Sequence, residues 1–95
     1  MNRIAFEWDR RKDSANLRKH GVGFAEASTV FKDPLSITIP DQDQIAAEER
    51  VVIVGLSGGR NLLVVVHTLR EDRIRLISAR LATRHEKRNY EETSL

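Results

Sequence analysis

Apolar and polar positions alternate at the start of the chain. Ile4, Phe6 and Trp8 are interleaved with Arg3, Ala5 and Glu7, the period-two pattern of a short strand with one buried face. Asp9 ends that strand and is a good helix cap. The run Arg10 to His20 then contains neither proline nor glycine, and Gly21 offers the left-handed backbone that closes helices. This first helix has few apolar positions, chiefly Ala15 and Leu17, so it is expected at the surface, held by its ends and by packing from Trp8. Gly23 opens a second helix. Phe24, Ala27, Ser28 and Phe31 lie three or four apart along it, and Asp33-Pro34 closes it because the residue before proline disfavours helix. Leu35, Ile37 and Ile39 alternate as a second strand that stops at Pro40.

The run Asp41 to Glu49 is acidic and reads as a mobile loop. Beyond it, Arg50 to Leu56, Asn61 to Leu69 and Arg73 to Leu81 are rich in β-branched residues, and the hairpin-length connections Ser57-Gly58-Gly59-Arg60 and Arg70-Glu71-Asp72 separate them. They predict an antiparallel meander. Ala82 to Glu92 closes the chain as a helix, with Thr83 and Glu86 spaced as a capping box. The expected architecture is an α+β domain over residues 1–95, a small antiparallel sheet packed with helices in the order β-α-α-β-β-β-β-α.

Composition narrows the chemistry. A chain of 95 residues supports one modest core. Without cysteine it has no disulfide framework and no thiolate metal site. No run of about 18 apolar residues and no signal pattern is present, so a soluble cytoplasmic protein without a membrane partner is expected. The net charge of +2 is small, but its distribution is uneven. Residues 1–20 and 70–90 are each rich in Lys and Arg, whereas Asp33 to Glu49 carries five acids and no base. If the basic ends meet in the fold, they make a local positive field suited to an anion such as RNA phosphate.

Within the last strand, strict alternation puts Ile74, Leu76, Ser78 and Arg80 on one face and Arg75, Ile77, Ala79 and Leu81 on the other. The two arginines should then point apart unless a bulge intervenes. Arg75 can pair with Glu49 or Glu86, and Arg80 can be a rim residue or a ligand for phosphate. Lys19 and His20 fall in the last turn of the first helix, where the macrodipole favours cations; this is a phosphate-binding or proton-donating pair, or an ordinary helix-end signal. His67 in a central strand reads as structural, and His85 as exposed helix. Gly58-Gly59 lacks the spacing of a phosphate loop, and the scattered histidines do not make a zinc site. Neither metal nor cofactor is expected.

The assembled residues resemble the BrnT family of type II toxin-antitoxin toxins, whose fold is similar to that of RelE-like ribonucleases. The resemblance rests on Phe6, Trp8 and Asp9; on Asn16, Lys19, His20, Gly21, Val22 and Phe24; on Ala27, Phe31, Asp33 and Pro34; and on Arg50 and Gly55. It continues through Ile74, Arg75 and Ile77 to Arg80, with Ala82, Thr83, Glu86 and Tyr90. It implies a metal-independent endoribonuclease that halts translation and is neutralised by a BrnA-like ribbon-helix-helix antitoxin, with DNA engaged only through that complex. Lys19, His20, Arg50 and Arg80 match basic positions of the family pattern. They are the implied catalytic set, with Arg75, His67 and Glu86 as substrate-binding candidates and the general base open between Glu86 and His67. The implied chemistry is attack of a ribose 2′-hydroxyl on the adjacent phosphorus, with His20 as acid and the arginines stabilising the phosphorane. Gly23 stands where Ser or Thr is common in the family, and Leu81 where many relatives are basic. The competing reading is a non-catalytic module that binds RNA or protein through the same basic surface.

Overall fold

A computed structural model describes residues 4–40 and 49–93 of the chain. The acidic run 41–48, read above as part of a mobile loop, lies outside the described residues. Strand β1 (Ala5–Glu7) leads into helix α1 (Arg10–His20), then α2 (Phe24–Ser28) and a 3-10 turn over Thr29–Lys32. Strands β2 (Ile37–Pro40), β3 (Val51–Leu56), β4 (Leu62–Arg70) and β5 (Arg73–Leu81) follow, and α3 (Arg84–Thr93) ends the order. The five strands form one sheet, β1-β5-β4-β3-β2, with β2 to β5 antiparallel in sequence. β1 joins the far edge in parallel, Phe6 beside Ile74.

The local signals act where the sequence places them. The Asp9 carboxylate accepts hydrogen bonds from the backbone N–H of Arg11 and Lys12 at 2.7 and 3.2 Å, and Gly21 closes α1 at φ 73°. At the other end of the chain the capping box forms in both directions: Thr83 N–H donates to Glu86, and Glu86 N–H donates to the Thr83 hydroxyl. The second helix is shorter than its apolar spacing predicts. The hydroxyls of Ser28 and Thr29 donate back to the carbonyls of Ala25 and Glu26, and the chain tightens to 3-10 before Asp33-Pro34.

α1, α2 and the 3-10 turn bury Val22, Phe24, Ala27 and Val30 against Ile53, Leu63, Val65, Leu76 and Ala79 on one face of the sheet. Trp8 packs on Phe24, edge to face at 6.2 Å between ring centres. The 3-10 turn lies so close to β3 that a β-carbon on Gly55 would meet the Val30 carbonyl at 3.2 Å. On the opposite face α3 lays Tyr90 over Val54 and Val64. The Tyr90 hydroxyl donates to Asp33, which also accepts from the N–H groups of Leu35 and Leu56. One carboxylate thus joins the end of the helical segment to β3 and α3.

α1 is tied to the sheet by a polar contact. Buried Asn16 donates through Nδ2 to the carbonyls of Val22 and Ala79, both at 2.8 Å, and its Oδ1 accepts from Ala79 N–H at 3.2 Å. Beyond the short stretch paired with β1, the outer edge of β5 therefore meets a side-chain amide in place of another strand. Replacing Asn16 with Ala strands these backbone groups out of water. It should lower the unfolding free energy in urea by about 3 kcal/mol, well beyond the effect of removing the exposed Asp9 cap. Equal losses from Asn16→Ala and Asp9→Ala would show that water replaces the amide.

Candidate functional site

β5 departs from strict alternation at one place. Val66 pairs with Ser78 and the next residue, His67, pairs with Leu76, so Ile77 is an extra residue in a β-bulge. The bulge resets the faces. Leu76 and Ala79 both point into the core, while Arg75 (opposite Thr68), Ser78 (opposite Val66) and Arg80 (opposite Val64) share the other face. The expectation that the two arginines point apart is thereby corrected.

On that face lies an open cleft of about 470 Å³. Val52, Val64, Val66 and Ile77 form its floor, with Arg50, Ser78, Arg80 and Glu86 around it. Arg50 enters from the start of β3, Arg80 from β5 and Glu86 from the first turn of α3. Tyr90 is one helical turn beyond Glu86 on the same side of α3, so the contacts that seat Tyr90 also hang Glu86 over the cleft. Arg80 Nη1 and Nη2 meet Glu86 Oε1 and Oε2 at 2.7 and 2.8 Å, a fork-to-fork pair. These bonds from Arg80, with the Thr83 N–H, outweigh burial and hold the Glu86 carboxyl down at about 2. The same pairing raises the Arg80 guanidinium above its already high value.

A small β-sheet cleft walled by guanidinium groups suits an anionic ligand, and a family model matches the sequence that builds it. That model, described as ribonuclease toxin, BrnT, of type II toxin-antitoxin system, covers residues 8–86. The chain belongs to the BrnT family. Its fold is similar to the crystal structure of the Brucella abortus ribonuclease toxin BrnT, with a TM-score of 0.66 and 22% identity over 87% of this chain and 100% of that one. Among curated proteins no relative matches. Membership makes this a ribonuclease toxin of a type II toxin-antitoxin system, which implies an RNA substrate and a cognate antitoxin.

Of the candidate residues in this BrnT chain, Arg50, Arg80 and Glu86 come together in the cleft. Lys19 and His20 do not line it. They lie one turn beyond Asn16 on the same side of α1, beside the outer edge of β5, with Lys19 exposed and His20 half-buried. Arg75 shares the face of Arg80, but their partners on β4 are four residues apart, about 13 Å at strand rise. It pairs with Glu7 of β1 at 3.7 Å, not with Glu49 or Glu86. Ser78, already on the face of Arg80 in the strict alternation, also lines the cleft, although the family pattern assigned it no role. No group of three His, Cys, Asp or Glu side chains among the described residues is placed to hold a metal ion, and none of their helices is long and apolar enough to cross a membrane.

His67 is corrected as a substrate contact. It stands on the core face, 5% exposed, its ring against the edge of Phe31 at 4.8 Å, and its Nδ1 has no hydrogen-bond partner. Burial pushes its imidazole below the ordinary 6.5. A group with a depressed native value adds stability that is full above 6.5 and is lost as pH falls through the native value, because the unfolded chain takes up the proton first. Unfolding free energy measured in urea should therefore fall between pH 7.5 and pH 5.5, and the slope should flatten in His67→Leu. An unchanged slope in that variant would place the acid-sensitive group elsewhere.

Proposed function

We propose that the cleft bounded by Arg50 and Arg80 is the reaction centre of an endoribonuclease that cuts RNA without a metal and thereby stops translation until a BrnA-like ribbon-helix-helix antitoxin covers it. The carrying observation is the convergence of guanidinium groups from β3 and β5 on one cleft with an apolar floor. Two fixed cations there can take up the charge that builds on a phosphorane, and preorganised groups of this kind contribute a few kcal/mol to such steps. The ribose 2′-hydroxyl attacks the adjacent phosphorus, the bond to the 5′-oxygen breaks, and a cyclic phosphate and a 5′-hydroxyl result. DNA, lacking the nucleophile, is inert and meets the toxin only through the antitoxin complex.

His20 receives a different role from the general acid that the resemblance implies, while Lys19 keeps a phosphate contact. Their place at the outer edge of β5, beyond the Asn16 contact, suits them to grip a phosphate flanking the cut. The same site without chemistry would bind RNA in a salt-dependent way and leave it whole.

Purified protein in EDTA should release 2′,3′-cyclic phosphate ends from a single-stranded RNA and leave its all-deoxy counterpart intact. Arg50→Ala and Arg80→Ala should each slow cutting by about a hundredfold or more, the scale of losing one oxyanion donor. His20→Ala should weaken RNA binding but keep the rate constant within about tenfold; a hundredfold loss, the scale of an absent general acid, would return His20 to the reaction centre. Cutting that stops on chelation would end the metal-free scheme.

A further inference from the structure

The 2′-hydroxyl proton still needs an acceptor, and among the described residues that line the cleft Glu86 is the titratable side chain of the right kind. His67 is on the other face of the sheet, inside the core, and neither Lys19 nor His20 of α1 is in the lining. Glu86 is in the lining, yet its two oxygens are spent on the guanidinium of Arg80. A carboxylate pinned in that way is a poor base, since the two hydrogen bonds favour its charged form.

The geometry of the pin is also that of its release. Guanidinium takes phosphate through the same pair of parallel bonds that it makes here with the carboxylate. The pair is reachable from solvent, with the side chains of Arg80 and Glu86 42% and 27% exposed. Glu86 has a second tether, the Thr83 N–H, which keeps its carboxylate at the start of α3 when Arg80 lets go.

Resting on the reading of this cleft as the RNA-cutting centre, we propose that Glu86 is the general base and that Arg80 holds it in reserve until the scissile phosphate displaces it from the guanidinium. In the free protein Glu86 fills the fork of Arg80. On binding, phosphate oxygens take those N–H groups, and the released carboxylate, now beside an anion instead of a cation, regains affinity for a proton. It accepts the 2′-hydroxyl proton as the bond from the 2′-oxygen to phosphorus forms. The bond from phosphorus to the 5′-oxygen breaks, the leaving oxygen is protonated by water at the open mouth of the cleft, and Glu86 returns its proton to solvent.

The exchange predicts a combination that a purely structural role would not produce. Glu86→Gln keeps the shape and the capping acceptor but removes both the competitor for Arg80 and the base. It should bind a single-stranded RNA methylated at every 2′-oxygen at least threefold more tightly than the wild type. It should also cut the unmodified RNA about a hundredfold more slowly and lose the acid limb of the kcat profile against pH. A wild-type kcat in Glu86→Gln would overturn the base assignment, and weaker binding of the methylated RNA would overturn the competition by showing that Glu86 only positions Arg80. If the wild type cuts no RNA, or if Arg50→Ala and Arg80→Ala both bind and cut like the wild type, the cleft itself is misassigned and the inference falls with it.

Discussion

One extra residue in β5 decides what the sheet can do. With Ile74 packed on the core, strict alternation would send Ser78 and Arg80 into the same apolar layer and turn Ala79 outward. An arginine there would need a buried partner at a cost of several kcal/mol. The bulge at Ile77 removes the conflict by letting Leu76 and Ala79 face the same side, three positions apart, and by sending Ser78 and Arg80 to the other, where Arg75 already points. The core and the cleft are two consequences of that single insertion.

Two polar anchors then fix the helices against the sheet, one on each side. Asn16 binds Ala79 through the backbone, a residue whose side chain is buried only because the bulge has turned it inward. On the far side, burial alone would push the Asp33 carboxyl up, but hydrogen bonds from Leu56, Tyr90 and Leu35 overcome it and hold the group below its ordinary value. Tyr90, buried and bound to that anion, is pushed up to about 12, so the contact keeps its donor and its acceptor across the physiological range. Because Glu86 is one turn from Tyr90, the same anchor sets the distance from the helix to Arg80.

The parts of this architecture that were legible in the sequence are the parts written in neighbouring residues. The Asp9 cap, Gly21, the Thr83 and Glu86 box and the hairpin connections announce element ends because each acts within a few positions of itself. The parallel pairing of β1 with β5, the three partners of Asp33 and the ion pair of Arg75 with Glu7 join distant segments, and no local pattern encodes them. Most of the site was hidden for the same reason. Arg50, Arg80 and Glu86 could be named from the family pattern and the capping box, but their meeting depends on register, and the bulge gives no signal in a run where Ile77 looks like any other strand residue. His67 was readable as structural from its apolar neighbours Val65 and Leu69, and the fold agrees with that reading over its candidacy as a base.

The charge balance of the cleft follows from these placements. Two guanidinium groups drawn to one side of a small sheet repel each other, and an apolar floor offers little to offset that. A carboxylate set at the start of α3, where the helix end already favours negative charge, relieves the repulsion without closing the cleft. Among Arg50, Arg80 and Glu86, two side chains carry a positive and one a negative formal charge, a balance that suits an anionic ligand. α1, which Asn16 ties to the edge of β5, is rich in cations and carries Arg10, Arg11 and Lys12 in its first turn against the sign the macrodipole prefers.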